Sequence, residues 1–163
     1  MLDHEISKVV KTVLENINSG AKCDQMTLNL AKKLAEKVEA EAKRIGVNAV
    51  VAVSNSGARP VLVECMDDSY IASYDVAFNK AYTVVALKMS TIELKALSQP
   101  NQPLYGIQFT NDGQIVIFGG GVPLKINGKI VGGLGVSGGS EEQDTYLADF
   151  GEKVFCELVK EMH

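Results

Sequence analysis

Residues 115–144 read IVIFGGGVPLKINGKIVGGLGVSGGSEEQD and contain most of the chain's 15 glycines. Two apolar, β-branched runs flank an Asn127-Gly128 pair, which is typical of a two-residue type I′ hairpin turn. The second run leads into Ser140-x-x-Gln143, a capping box that predicts the start of a helix. Because glycine weakens a strand, its repeated use here indicates that another group approaches the bare backbone closely.

The remaining elements extend this hairpin into an α+β fold. The patterns predict helices at 27–46 and 69–88, a short helix from Ser90, and strands at 47–54, 58–66, 114–118, 122–126 and 129–136. Pro60 cannot donate a ladder hydrogen bond, which places the second strand at an edge or makes Pro60 its first residue. Because consecutive hairpins pair antiparallel, we expect a five-stranded antiparallel sheet with helices packed on it.

The helix at 69–88 contains an apolar series at helical spacing. Its expected face consists of Ile71, Tyr74, Phe78, Ala81 and Val85. Residues at this spacing lie on one side of a helix, so the series predicts the side that meets the sheet.

A separate amphipathic helix is predicted at residues 3–18. Its apolar stripe consists of Ile6, Val9, Val10, Val13, Leu14 and Ile17, at the spacing of one helical face. We therefore divide the chain into an N-terminal helix at 1–20, a targeting or oligomerisation segment, and a domain at 27–163. Packing of the stripe on its own domain, or across an oligomer, is the more common outcome for such helices.

The composition limits the classes of function. The 163 residues carry a formal net charge of −4, and no basic stripe offsets this acidic balance, which argues against nucleic acid as a partner. No apolar run reaches the roughly 18 residues of a transmembrane helix, so no membrane insertion is expected. The three cysteines form no CxxC pair, which favours reduced thiols in the cytoplasm.

Few residues in the chain are suited to catalysis. His4 and His163 are the only histidines, so the interior lacks the base that a Ser-His-Asp site needs. Ser137 lies in a glycine-rich turn but not in a G-x-S-x-G motif, which favours a turn serine over a nucleophile. This composition favours a non-enzymatic protein.

Three other features leave alternatives open. Lys80 lies among apolar residues and is either a buried anion-binding or Schiff-base group or, more commonly, a lysine that extends to solvent. Gly119, Gly120 and Gly121 form either a strand bend or a surface against which a ligand lies. The acids Glu141, Glu142 and Asp144 either bind a cation or, as is more common, form a solvated helix start.

His4 is the candidate metal ligand. It precedes the stripe of the N-terminal helix, and neutral imidazole is the commonest protein ligand for metals and for haem iron. The alternative is an exposed terminal histidine.

Six ordered motifs together resemble the GlcG/HbpS-like haem-binding family, which includes the C-terminal domain of PduO. They are VAVSNSGA at 51–58, MDD at 66–68, NKA at 79–81, PLYGIQ at 103–108, FGGGVPL at 118–124 and GGLGVSGGSEEQD at 132–144. The resemblance implies a five-stranded antiparallel sheet with profilin-like layering, homo-oligomers and haem binding. It also implies cofactor-binding roles for His4, Lys80 and Gly119–Gly121, with His4 as the axial ligand in the N-terminal helix.

The resulting prediction is a non-enzymatic haem- or tetrapyrrole-binding protein of the cytoplasm. The alternative is an accessory protein of bacterial microcompartments in cobalamin-dependent diol or glycerol metabolism, because residues 3–18 also resemble encapsulation peptides. That alternative places the protein inside a microcompartment, with a shell or cargo contact through the same segment. A third reading is an enzyme that uses Lys80.

Overall fold

A computed structural model describes residues 6, 7, 10 and 25–162. The helices are α1 (Leu28–Arg44), α2 (Ile71–Ala86), α3 (Thr91–Leu97) and α4 (Glu141–Glu161). The strands are β1 (Val50–Asn55), β2 (Pro60–Cys65), β3 (Gly121–Ile126) and β4 (Lys129–Ser137). Two short 3₁₀ turns, Ile107–Phe109 and Asn111–Gly113, precede β3.

The strands form one antiparallel sheet in the order β2-β1-β4-β3. The α+β class is confirmed, and Pro60 opens the edge strand β2, as its missing N–H requires. The expected hairpin turn is also confirmed, because Asn127 and Gly128 have φ values of 50° and 76°, the left-handed conformations that a type I′ turn needs.

The prediction of five strands was wrong, because within the described residues the sheet has four. The sequence at 114–118 has strand composition, but its polar backbone groups bind helices instead. The Val116 N–H donates to Thr83 Oγ1 at 3.0 Å, and the Gly119 N–H donates to Glu141 Oε1 at 2.9 Å. The segment therefore runs over α2 and the start of α4 rather than along a strand.

Helix ends follow the capping residues in the sequence. Thr27 accepts a hydrogen bond from the Leu30 N–H and begins α1, and Gly46, with φ of 75°, follows its end. Both predicted capping boxes are present, at Ser90 for α3 and at Ser140 for α4. These side chains satisfy backbone N–H groups that have no partner within a helix.

Helices cover both faces of the sheet. Helices α1 and α4 pack on one face, where Leu34, Val38, Val51, Leu134 and Phe155 belong to the main core. Helix α2 lies on the other face, where Val50 and Ala52 meet Ala77 and Ala81. Strand β1 therefore buries residues on both faces, as the burial of its successive residues shows.

The glycines of β4 let α2 approach the sheet. A Cβ atom on Gly135 would lie 2.1 Å from the Ala77 carbonyl oxygen, and one on Gly133 would lie 2.5 Å from the Ala81 carbonyl oxygen. Contacts below 3.0 Å are not tolerated by real Cβ atoms, so side chains here would push the helix away. The group that approaches the bare backbone is the protein's own helix.

This close approach explains an error in the predicted face of α2. Ile71 is 96% exposed and Tyr74 is also exposed, whereas Ala77, Lys80 and Val84 are buried. Because the glycines admit the helix so closely, small side chains occupy the contact and large apolar ones lie outside it. Only Ala81 and Val85 of the expected face are buried.

Of the N-terminal segment, Ile6, Ser7 and Val10 fall within the described residues. They are helical, and all three are exposed. The remaining residues of the predicted helix at 3–18, including His4, lie outside the described residues. No helix among the described residues is long and apolar enough to cross a membrane.

Candidate functional site

Lys80 is the centre of the most unusual polar cluster in the protein. Its side chain has 0% solvent exposure, so the expectation of a lysine that extends to solvent was wrong. Its Nζ donates to the Val136 carbonyl oxygen at 2.7 Å and to Asp144 Oδ2 at 3.0 Å. The Phe118 ring covers the ammonium, with 5.0 Å between Nζ and the ring centroid. The cluster thus joins α2, β4 and α4.

Asp144 occupies the buried side of the α4 N-terminus. It is 4% exposed, and its Oδ1 accepts the Gly139 N–H at 2.9 Å while its Oδ2 pairs with Lys80. The prediction of a solvated helix start is therefore wrong for this acid. A carboxylate here also complements the positive end of the helix dipole.

Burial and ion pairing shift the pKa values of Lys80 and Asp144 in opposite directions. Desolvation lowers the pKa of Lys80, and the Asp144 carboxylate acts against that change. Desolvation raises the pKa of Asp144, while Lys80 and the Gly139 N–H act in the opposite direction. The attraction between the two groups partly offsets the desolvation of each, and the separation of such a buried pair is costly.

The Gly119–Gly121 segment packs against this cluster. A Cβ on Gly119 would lie 2.0 Å from Thr145 Oγ1, and one on Gly120 would lie 2.6 Å from Lys80 Nζ. Gly120 also has φ of 110°, which L side chains rarely adopt. The contacts found for these three glycines are internal, and their predicted role in cofactor binding stays a prediction.

Two further side chains fix the segment in place. Glu141 Oε1 accepts the Gly119 N–H at 2.9 Å, and Glu141 Oε2 pairs with Lys95 Nζ at 2.5 Å. Hydrogen bonds and the nearby cations lower the pKa of Glu141, so it remains a carboxylate. Thr91 Oγ1 accepts the Gly121 N–H at 2.9 Å. Glu141 and Asp144 therefore serve as internal anchors, whereas Glu142 is exposed at the helix start.

The cluster does not present a free nucleophile or base. The Lys80 ammonium is bonded and enclosed. Ser137 donates its hydroxyl hydrogen to Ser73 Oγ at 3.1 Å and is buried at the end of β4, in agreement with a structural serine. Among the described residues, no group of three or more His, Cys, Asp or Glu could hold a metal ion. The geometry favours a structural centre.

A surface cavity lies at the other end of α2. Its volume is about 520 Å³, and it lies between the β1–β2 turn, with Ser56 and Arg59, and the end of α2, with Tyr82, Val85 and Ala86. Arg59 is the one charged residue in its lining. The sequence indicated only a turn here, because the helix residues that complete the cavity lie more than 20 positions away along the chain. We call this space the turn cavity.

A groove along α4 differs in charge. It has a volume of about 430 Å³ and contains Glu141, Glu142 and Asp149 beside Lys95. This groove suits an anionic ligand less well than the turn cavity does, because like charges repel.

A family model and a curated protein match the sequence of this chain. The model of the HbpS-like family, whose members are described as haem degrading protein HbpS-like, matches residues 26–152. An uncharacterised 15.0 kDa protein from the dhaT-dhaS intergenic region of Citrobacter freundii is 44% identical over 87% of this chain and 100% of its own length.

Two solved structures share the fold. Klebsiella pneumoniae protein ORFY has a TM-score of 0.79 with 40% identity, over 80% of this chain and 90% of its own. A PduOC:heme complex has a TM-score of 0.76 with 33% identity, over 79% of this chain and 94% of its own. The match at residues 26–152 covers most of the chain, which therefore belongs to the HbpS-like family.

Proposed function

We propose that this protein binds haem or a related tetrapyrrole without catalysing a reaction of its own. The similarity to a PduOC:heme complex, at 33% identity and a TM-score of 0.76, is the observation on which the proposal rests. The enclosed Lys80 cluster supports the non-enzymatic part of the proposal, because its polar groups are occupied by internal bonds. We place the protein in the cytoplasm.

Among the described residues, the turn cavity offers more space for such a ligand than the Gly119–Gly121 segment does. A Cβ atom on Gly119 or Gly120 would collide with Thr145 Oγ1 or Lys80 Nζ, so these glycines pack against the protein's own side chains. The turn cavity, at about 520 Å³, lies within the 300–1,000 Å³ range that is typical of cofactor sites. Its lining combines Val85 and Ala86 with polar groups and one cation, Arg59, whose charge suits an anionic ligand.

His4 is the residue that we propose for the iron. Bound haem supplies an iron centre whose properties depend on its axial ligand and on the polarity of its surroundings. An imidazole nitrogen is the chain's contribution to that ligation, and residues 25–162 contain no histidine.

Hemin titration tests the proposal directly. The purified protein at micromolar concentration is titrated with hemin, and we expect a saturable shift of the Soret band. The His4→Ala variant is expected to change the position of that band, and His163→Ala serves as the matched control. The absence of a saturable shift in the wild type would refute haem binding, and an unchanged His4→Ala spectrum would refute only the ligand assignment.

A second candidate function is association with a bacterial microcompartment of diol or glycerol metabolism. Ile6 is 54% exposed and Val10 is 50% exposed, so two members of the predicted stripe are not covered by the described domain. An exposed apolar helical stripe is suited to docking in a groove or bundle.

A fusion experiment tests this second candidate. Residues 1–20 are fused to a fluorescent protein in cells that build such compartments, and punctate fluorescence is expected. The matched control carries Ile6→Glu and Val10→Glu in the same fusion, which interrupts the apolar stripe without changing the length of the segment. Diffuse fluorescence of the unaltered fusion would count against the proposal.

We also propose that the chain forms homo-oligomers. Tyr70, Ile71 and Tyr74 form an exposed apolar surface at the start of α2, and such surfaces are common at subunit contacts. Light scattering coupled to size exclusion measures the mass, with Ile71→Glu as the perturbation. A monomeric wild type at micromolar concentration would refute this.

A further inference from the structure

One side of α2 carries an apolar stripe that is exposed at its start. Its members are three or four positions apart and so share one face of the helix: Ile71, Tyr74, Phe78, Tyr82 and Val85. Ile71 is 96% exposed and Tyr74 is also exposed, whereas Val85 is buried. At 1.5 Å per residue the series is about 21 Å long. We call it the α2 stripe, and its first half is open to a partner.

The aromatic rings of the α2 stripe are already ordered in a single copy. The Tyr74 and Phe78 rings stack, with 6.4 Å between their centroids and 9° between their planes. The Tyr82 hydroxyl oxygen accepts the Asn111 Nδ2–H at 3.1 Å. Because these side chains are ordered before any contact forms, association costs less rotamer entropy than it would for mobile side chains. Aromatic anchors of this kind are enriched in protein interfaces.

The two ends of the α2 stripe carry opposite charges. The acidic end has three exposed residues: Asp67, Asp68 and Asp75. The basic end has two exposed residues, Arg59 in the lining of the turn cavity and Lys88 after the end of the helix. The ion pairs in the described part of the chain lie elsewhere, so these five charges have no ion-pair partner among the described residues.

A single chain cannot bring these two ends together. Asp68 and Lys88 are separated by a distance of about 30 Å along the helix, far beyond the reach of an ion pair. Phe78 lies midway between them in the sequence, and also midway between Ile71 and Val85. A two-fold axis at Phe78 would therefore make two stripes antiparallel and place the acidic end of each copy beside the basic end of the other. Such an interface uses the same patch on both copies.

This pattern favours a second copy of the chain over an unrelated partner. The α2 stripe is complementary to itself, because its apolar centre meets an apolar centre, its charged ends meet opposite charges, and the two helix dipoles run antiparallel. An unrelated protein would have to carry the same charges in the reverse order.

We infer that the α2 stripe is a two-fold interface between copies of this chain, in which the acidic end of each copy binds the basic end of the other. The inference rests on the proposed homo-oligomer and specifies its contact surface.

The same arrangement covers an open feature of the single copy. The turn cavity lies at the basic end, where Tyr82 and Val85 form part of its lining. Tyr70 is 72% exposed at the acidic end, so the second copy brings this ring to the mouth of the cavity. The contact thereby extends beyond the apolar centre, toward the roughly 800 Å² per partner that is typical of a stable interface.

Charge reversal at each end tests the inference on the full chain. The acid-reversed variant carries Asp67→Lys and Asp75→Lys, and the base-reversed variant carries Arg59→Glu and Lys88→Glu. Matched controls reverse two exposed charges elsewhere: Asp149→Lys with Glu157→Lys on α4, and Lys32→Glu with Lys37→Glu on α1. Light scattering coupled to size exclusion gives the mass of each protein at micromolar concentration, and of a 1:1 mixture of the two reversed variants.

The expected result depends on which copies meet. Each reversed variant alone places like charges against each other, so its mass should fall to about half of the wild-type mass, as the loss of one two-fold interface implies. In the 1:1 mixture every end again meets an opposite charge, so the wild-type mass should return, which also shows that both variants are folded. Both controls should keep the wild-type mass.

The outcomes separate this inference from the proposed function. If the wild type is monomeric, the proposed homo-oligomer fails and the inference fails with it. If the wild type associates and the reversed variants keep its mass, the α2 stripe is not the interface, and the homo-oligomer stands. If the variants lose mass and their mixture does not regain it, the end-to-end contact between copies is refuted.

Discussion

Replacement of Lys80 by methionine would leave a buried carboxylate without its partner. Lys80 is fully buried and lies 3.0 Å from Asp144 Oδ2, and Asp144 is 4% exposed. Removal of one member of a buried pair costs about 3–5 kcal/mol of the free energy of unfolding. Domains of this kind are stable by only about 5–15 kcal/mol, so Lys80→Met should remove a large part of the total.

A double variant separates the effect of the unpaired charge from the effect of altered packing. Replacing both charges by apolar residues of similar volume is often close to neutral. We therefore expect the double variant Lys80→Met, Asp144→Leu to be more stable than Lys80→Met alone by about 2 kcal/mol, since it removes the unpaired charge. Equilibrium urea unfolding, followed by far-ultraviolet circular dichroism, gives each free energy.

Lys95 provides the matched control. It also pairs with a carboxylate of α4, Glu141, but its side chain is 42% exposed. Pairs near solvent contribute about 0–1 kcal/mol, so Lys95→Met should have a small effect. A loss below about 1 kcal/mol for Lys80→Met, or a double variant less stable than it, would refute the reasoning about burial.

Three other perturbations test separate parts of the structure. Burial and the neighbouring Glu64 carboxylate raise the pKa of Glu39 from 4.5 to about 7. Because the folded state then binds a proton more tightly than the unfolded state, stability should fall as pH rises from about 4.5 to 7. Glu39→Gln should flatten this pH dependence in thermal melts. Gly135→Ala would place a Cβ 2.1 Å from the Ala77 carbonyl oxygen and should cost about 3 kcal/mol in urea unfolding or prevent folding. Ser140→Ala removes the N-cap of α4 and should cost about 1 kcal/mol in the same assay.

Two of these changes have matched controls. Glu157→Gln removes an exposed carboxylate from α4 and should leave the pH dependence of stability intact. Gly57→Ala meets only Asn55 Oδ1, at 3.3 Å, and should change stability far less than Gly135→Ala, whose Cβ meets the backbone at 2.1 Å. If a variant and its control have the same effect on stability, the cause assigned to that variant is wrong.

Local features of the fold could be predicted because they depend on adjacent residues. The capping boxes at Ser90 and Ser140 and the Asn127-Gly128 turn each require only two to four residues, and all were confirmed. The strand predicted at 114–118 failed because its composition suits a strand while its backbone partner is Thr83, more than 30 positions earlier. Composition cannot reveal such a partner.

The polar cluster could be predicted only in part, for the same reason. Lys80 and Asp144 are 64 positions apart, and each taken alone resembles a residue exposed to solvent. A signal was present in Ala77 and Ala81, which flank Lys80 at helical spacing and match the glycines of β4. Small residues on a helix opposite a glycine-rich strand indicate close packing, which leaves a nearby long side chain no route to solvent.

The glycines that define the family motifs can be explained by this packing alone. A Cβ on Gly120 would lie 2.6 Å from Lys80 Nζ, and one on Gly135 would lie 2.9 Å from Lys80 Cβ, so both positions make room for the same lysine. Asp144, which closes the cluster, comes from the same motif region. The glycines and the two charged residues of these motifs therefore hold an interior together.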